Sequence, residues 1–129
     1  MDSAAIVTEM YATFQRGDFQ AVVDRCADDV LFVWTAEPEF ARYSGTSVGK
    51  QAFLERTGAL HADFEYHAFE MTDIVAKGDR VATQIEMRLT ARSNGRPFTA
   101  KTAHFMWFEE GKLVRLVEYY DSALAAGVS

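Results

Sequence analysis

The stretch TAKTAHFMWFEEGKLVRLVEYYD, residues 99–121, decides the fold because it reads as two strands joined by a tight turn. Side chains alternate between the two faces of a strand. In the first strand, one face carries His104 and the other carries Phe105 and Trp107. In the second strand, Glu118 and Asp121 lie among large apolar residues. The first question is therefore which face of the sheet these ionisable groups occupy.

The turn decides whether His104 and Glu118 share a face. A three-residue connection at 109–111, with Gly111 at positive φ, is common in β-hairpins. It would place His104 opposite Leu116 and one diagonal step from Glu118. We therefore predict that the imidazole and the carboxylate lie on the same face.

The chain before this hairpin reads as three helices around one short strand, followed by two longer strands. Ser3 is the predicted N-cap of the first helix, and Asp18 that of the second. The remaining predictions are a buried strand at 30–34, an irregular segment at 35–48, a helix at 49–60 ended by Gly58, a strand at 63–76, a turn at 77–79, a half-buried strand from 81 and an Asn-Gly hairpin turn within 93–96. This order predicts an α+β fold with a four-strand antiparallel meander.

The composition describes one globular domain over residues 1–129. Of the 129 residues, 49% are hydrophobic and 25% are charged, which is usual for a globular protein. A chain of this length is too short to form two full hydrophobic cores. A net charge of −6, with Lys and Arg scattered, argues against binding nucleic acid. Cys26 is the single cysteine, which fits helix packing in a reducing, cytoplasmic compartment. We expect neither a signal peptide nor a membrane span.

Several motifs follow one another in a recognisable order. They are Gly-Asp between the first two helices, ADDV before the short strand, GDRV before a longer one, and H-x-x-W-F-x-x-G-K-x5-E-x-x-D across the last hairpin. This order resembles the SnoaL-like branch of the nuclear transport factor two-like superfamily, to which the ketosteroid isomerases also belong. The resemblance covers roughly residues 4–123. It implies a cone-shaped, curved, mostly antiparallel sheet wrapped around three N-terminal helices, with an internal ligand pocket and usually a homodimer.

The resemblance also implies catalytic residues. His104 matches a ketosteroid isomerase position whose protonated acid donates to the substrate oxyanion. Asp121 matches the general acid/base at the end of the last strand in SnoaL-type polyketide cyclases. Glu118 would pair with His104, because a buried carboxylate without a partner is costly. Strand parity alone directs Asp121 to the Tyr119 side unless a bulge re-aims it.

Two positions depart from the ketosteroid isomerase pattern. Trp34 occupies the position of that family's catalytic base, and Met10 that of its oxyanion tyrosine, with Tyr11 one step away. A one-residue offset turns a helical side chain by about 100°. Isomerisation by that family's own route is therefore not expected.

Aromatic and methionine side chains at core spacing are expected to line the pocket and to contact a small apolar molecule. The predicted lining residues are Tyr11, Phe14, Phe32, Trp34, Phe53, Ile85, Met87, Met106 and Tyr120. Plain core packing explains the same spacing equally well. Arg42 and Tyr43 are placed near the pocket mouth. We expect no metal and no cofactor, because His61 and His67 lack HExxH spacing and no Cys/His cluster occurs.

The opposite face of the sheet is also apolar and has no helices left to cover it. We expect a homodimer through this face, formed by Phe105, Trp107, Leu113, Val117 and Tyr119. Three functions remain open. One is a cofactor-independent acid/base enzyme that isomerises, cyclises or dehydrates an apolar carbonyl compound, one is a dimeric small-ligand-binding protein, and one is a structural module.

Overall fold

The fold is a curved sheet packed on one side by helices. The computed structural model describes residues 2–35 and 45–120. Its elements are α1 (Ser3–Gln15), α2 (Phe19–Asp24), β1 (Cys26–Trp34), β2 (Gly45–Val48), α3 (Lys50–Asp63), β3 (Phe64–Lys77), β4 (Arg80–Ala91), β5 (Pro97–Glu109) and β6 (Lys112–Tyr120). The six strands run in the order β2-β1-β6-β5-β4-β3. Only β1 and β6 are parallel, so the predicted α+β fold with a curved, mostly antiparallel sheet is confirmed.

Several predicted boundaries were wrong. The N-cap of α1 is Asp2, whose carboxylate accepts from the backbone N–H of Ala5, while Ser3 is already helical. The helix α3 runs through Gly58, because neighbouring good helix formers outweigh one glycine. Residues 45–48 of the segment predicted to be irregular form β2, and residues 36–44 of that segment lie outside the described residues. Asp18 caps α2 as predicted.

The hairpin turns also differ from their predictions. Between β4 and β5 only Gly95 has a positive φ, and strand pairing stops at Thr90 and Pro97, so the connection is longer than an Asn-Gly two-residue turn. Between β5 and β6, Glu109 pairs with Lys112 and leaves a two-residue turn. Both turn residues have positive φ, 49° at Glu110 and 76° at Gly111.

The shorter turn shifts the pairing of β5 with β6 by one residue relative to the predicted hairpin, and a β-bulge shifts it by one more. Phe108 pairs with Leu113 but Trp107 pairs with Arg115, so Val114 is an extra residue that restores the side-chain parity. As a result His104 lies directly opposite Glu118, not opposite Leu116 as predicted. The bulge also turns Leu113 into the core, where it is fully buried, and removes it from the predicted dimer face.

The core lies between the helices and the concave face of the sheet. In β4 the buried residues are Val81, Thr83, Ile85, Met87, Leu89 and Ala91, which confirms the predicted alternation. Residues of α1, α2 and α3 pack against this face in one cluster. Helices and sheet therefore enclose the side of the sheet that carries His104 and Glu118.

Candidate functional site

A cavity of about 160 Å³ lies between the helices and the concave face of the sheet. All but one of the residues predicted to line the pocket are on its wall: Tyr11, Phe14, Phe32, Trp34, Phe53, Met87, Met106 and Tyr120. The prediction for Ile85 was wrong, because its side chain is fully buried in the core and does not reach the cavity. His104 and Glu118 line it as well. The wall is otherwise almost entirely apolar, which suits a small, mostly apolar molecule held by few polar contacts. Whether these residues contact a ligand remains a prediction.

His104 and Glu118 form a buried, hydrogen-bonded pair. Nε2 of His104 contacts Oε1 of Glu118, and each side chain is close to nine-tenths buried. The direct register between β5 and β6 brings them together, since residues opposite each other on one face have neighbouring side chains. The hydrogen bond to His104 offsets the free-energy cost of burying the Glu118 carboxylate in an apolar interior.

The pair is the end of a longer hydrogen-bond chain. The hydroxyl of Tyr11 lies 2.7 Å from Nδ1 of His104 and 2.7 Å from Oγ1 of Thr83. Burial raises the pKa of Tyr11, and the charge of Glu118 adds to this effect, so the phenol stays protonated. With the neutral His104 tautomer whose Nε2–H donates to the carboxylate, Nδ1 accepts from Tyr11, and Tyr11 in turn accepts from Thr83.

This direction leaves no nitrogen of His104 for a ligand. One ring nitrogen accepts from Tyr11 and the other donates to Glu118. The hydrogen bond to His104 uses Oε1 of Glu118, and no described residue bonds to Oε2. Of the two predicted catalytic groups in the cavity, the carboxylate is therefore the one available to a ligand, and the imidazole orients it.

Arg56 is a charged residue near the site that the sequence did not single out. Its guanidinium carbon lies 5.3 Å from the ring centre of Phe32 and 5.6 Å from that of Trp34. Burial lowers the pKa of Arg56, and the charge of Glu118 opposes this shift. Its position three residues after Phe53 puts both on one side of α3, and this spacing is the signal that could have found it.

Tyr66, Phe69 and Thr102 also line the cavity without having been predicted. Tyr66 pairs with Leu89, but Ala68 pairs with Arg88, so a bulge at residue 67 breaks the alternation of β3. The bulge turns both Tyr66 and Phe69 inward despite their odd spacing. Thr102 shares the face of His104, and its position on the strand was sufficient to place it there.

Three predicted site residues lie outside the described residues: Asp121, Arg42 and Tyr43. The strand β6 ends at Tyr120, which lines the cavity. The predicted roles of these residues stay predictions.

Three further observations concern metal sites, the cysteine and membrane spans. Within residues 2–35 and 45–120, no cluster of three or more His, Cys, Asp or Glu side chains could hold a metal ion. Cys26 begins β1 and does not belong to a helix as predicted, although its side chain is buried in the core at 1% exposure. Burial raises its pKa to about 12, so its thiol is not reactive in the folded protein. In the described parts of the chain, no helix is both long and apolar enough to span a bilayer.

Fold and cavity together define a class of protein, in which a curved open sheet and N-terminal helices enclose a cavity. The chain belongs to the family of SnoaL-like domains, which matches residues 7–116. This membership confirms the resemblance inferred from the motifs. No curated protein matches the chain.

Solved structures share this fold across nearly the whole chain. A nuclear transport factor two-like protein of unknown function from Burkholderia pseudomallei is 25% identical, with a TM-score of 0.88 over 97% of this chain and 95% of that one. A ketosteroid isomerase-like fold protein from Catenulispora acidiphila, in complex with trimethylamine, is 20% identical, with a TM-score of 0.80 over 100% and 96%. A Mesorhizobium loti protein, provisionally named a SnoaL-like polyketide cyclase, is 21% identical, with a TM-score of 0.76 over 93% and 100%.

Proposed function

We propose that the protein is a cofactor-independent acid/base enzyme that isomerises, cyclises or dehydrates a small apolar carbonyl compound. The observation that carries this proposal is the Glu118 carboxylate, which is buried in an apolar cavity with Oε2 directed to no protein partner among the described residues. A base in such a site is shielded from water and close to any bound carbon acid.

In the proposed reaction, Glu118 takes a proton from the carbon next to the carbonyl, and the electron pair moves into an enolate. Return of the proton to another carbon isomerises the compound, whereas attack of the enolate on a second carbonyl closes a ring. His104 holds the carboxylate in place through Nε2–H, and Tyr11 fixes the tautomer of His104. Asp121, which directly follows Tyr120, is proposed from the family resemblance as a second acid/base group.

Exchange of α-protons tests this proposal with a small ketone. Cyclohexanone in D2O, followed by proton NMR, should lose its α-protons faster with the wild-type protein than in buffer. Glu118→Gln should remove at least about 100-fold of the enhancement, since general-base catalysis contributes on the order of 10² to 10⁴. Glu65→Gln, the same change at an exposed position of β3, serves as the matched control.

The variant His104→Ala tests whether the imidazole orients the carboxylate, and Asp121→Asn tests whether Asp121 is a second acid/base group. His104→Ala should slow exchange less than Glu118→Gln does, because the imidazole orients the base without touching the ketone. Wild-type rates equal to buffer over a panel of small enolisable ketones would contradict the proposal. So would a Glu118→Gln variant as active as the control.

A second candidate is a pocket protein that binds a small apolar molecule without chemistry. The observation that favours it is the occupation of both His104 nitrogens inside the protein. The Catenulispora protein is described with trimethylamine, a ligand small enough for a cavity of this size. Saturable binding of cyclohexanone without α-exchange would favour this candidate over the first.

A further inference from the structure

Tyr66 presents a phenol in the cavity that the hydrogen-bond chain of Tyr11 and His104 does not use. The bulge in β3 turns its side chain inward, where it lines the cavity. The ring of His61 stacks on it, with centroids 4.5 Å apart and planes 14° apart. Phe14 meets it edge-on at 5.7 Å. Two ring contacts therefore hold the ring of Tyr66 in place on the cavity wall.

The hydroxyl of Tyr66 makes no hydrogen bond to a described residue. A phenol that lines a cavity and has no protein partner can donate a hydrogen bond to a molecule bound there. Burial raises the pKa of Tyr66, and the charge of Glu118 adds to the shift. The group therefore stays protonated and can donate. Oγ1 of Thr102, on the same cavity wall, is likewise buried without a described partner.

The volume of the cavity limits what that partner can be. A cavity of about 160 Å³ is close to the engineered apolar cavity of about 150 Å³ that holds one benzene molecule. Ligand pockets for larger molecules usually measure about 300–1,000 Å³. A fused multi-ring molecule would therefore not fit without rearrangement of the wall.

We propose that Tyr66 is a ligand-binding residue that donates a hydrogen bond to the carbonyl oxygen of the ligand, and that the ligand is a compound about the size of a single ring. This inference rests on the proposed function, because it uses the same cavity and places the carbonyl oxygen at Tyr66 and the α-carbon at Glu118. It adds the residue that holds the oxygen and the size class of the substrate.

Binding of two molecules of the same shape tests the role of Tyr66. Cyclohexanone and methylenecyclohexane differ only in the hydrogen-bond acceptor, and NMR titration of the wild-type protein gives both dissociation constants. The ketone should bind about 3- to 10-fold more tightly, the range that a neutral hydrogen bond supplies. Tyr66→Phe should abolish this preference, whereas Tyr119→Phe, the same change on the exposed face, should keep it. A preference unchanged in Tyr66→Phe would overturn the proposal.

A second measurement does not depend on the variant folding well. In protein labelled with ¹³Cζ-tyrosine, cyclohexanone should shift the Tyr66 signal, and methylenecyclohexane should shift it less. Equal shifts with both probes would count against the hydrogen bond. For the size class, 2-decalone, a ketone with two fused rings, should bind at least about 10-fold more weakly than cyclohexanone. Equal affinity would overturn the single-ring limit.

These outcomes are separable from failure of the proposed function. Loss of the ketone preference in Tyr66→Phe, without α-exchange in the wild type, would retain Tyr66 as a binding residue and remove the chemistry. Glu118-dependent exchange with an unchanged preference in Tyr66→Phe would retain the chemistry and remove Tyr66 from the site.

Discussion

At the scale of single residues, the site depends on one hydrogen-bond chain that fixes a carboxylate in an apolar cavity. The chain runs from Thr83 through Tyr11 and His104 to Glu118, and each residue is hydrogen-bonded to the next. Removing one member leaves a buried donor or acceptor unsatisfied, which costs more than the hydrogen bond itself contributes. The chain of hydrogen bonds therefore stabilises the fold as well as orienting the carboxylate of Glu118.

Tyr11→Phe tests this stabilising role. The substitution keeps the ring but leaves Nδ1 of His104 without a donor, so we expect the free energy of unfolding to fall by about 1–3 kcal/mol. Urea unfolding followed by circular dichroism measures the change. Tyr119→Phe should change the unfolding free energy by less than about 0.5 kcal/mol, because that residue is 51% exposed. Equal unfolding midpoints for the two variants would contradict the role assigned to Tyr11.

At the scale of secondary structure elements, two β-bulges determine which residues face the cavity. Alternation along β5 was enough to place His104, Met106 and Thr102 on one face, because that strand is regular over this stretch. The predicted hairpin put His104 and Glu118 on the same face, but with an incorrect turn and register. A two-residue turn alone would have reversed the parity of β6, and only the extra residue Val114 restores it.

The bulge at residue 67 explains what the sequence did not predict. A period of two places Tyr66 and Phe69 on opposite faces, whereas the structure places both inside. A bulge bends its strand by one extra residue, and the hydrophobic pattern of the sequence does not indicate where that residue lies. The helices were easier to predict, since Asp18 and the apolar spacing of α1 are local signals. The role of Asp121 rests on resemblance alone.

The junction of α1, α3 and β3 gives a pH-dependent prediction. Burial lowers the pKa of His61, and the charge of Arg92 adds to the shift, so the folded protein favours the neutral ring. The unfolded chain protonates His61 near its ordinary pKa of about 6.5. Stability should therefore fall as the pH drops below about 6.5 and the unfolded state takes up the proton.

His61→Phe should reduce this acid-side loss while retaining the ring contacts with Phe14 and Tyr66. Urea unfolding midpoints at pH 7.5 and pH 5 measure the difference for the wild type and the variant. His67→Gln, on the exposed side of β3, provides the control for removing a histidine. The same pH dependence in the wild type and His61→Phe would contradict the assignment.

At the scale of the whole molecule, the outer face of the sheet keeps an apolar patch formed by Phe105 and Tyr119. These rings are 41% and 51% exposed and contact each other edge-on at 5.8 Å. Trp107 differs, because the guanidinium groups of Arg80 and Arg115 lie 4.4 Å and 4.6 Å from its ring centre. The predicted homodimer would therefore centre on Phe105 and Tyr119, with Val117 already buried beneath them.

Phe105→Asp tests this assembly without touching the cavity. A charge in the centre of an apolar interface should convert a dimer to a monomer, since it would be desolvated without a partner. Light scattering coupled to size-exclusion chromatography measures the mass, and Glu65→Gln is the surface control. A wild-type mass equal to the 14.5 kDa of one chain at micromolar concentration would contradict the homodimer.

The most direct test of the central claim is a crystal structure of the protein soaked with cyclohexanone. Electron density for one ketone should appear inside the cavity, with its α-carbon beside Oε2 of Glu118 and its oxygen at the hydroxyl of Tyr66. A cavity filled by protein side chains, or a ketone bound only on the outer surface, would contradict the claim that the carboxylate faces a ligand site.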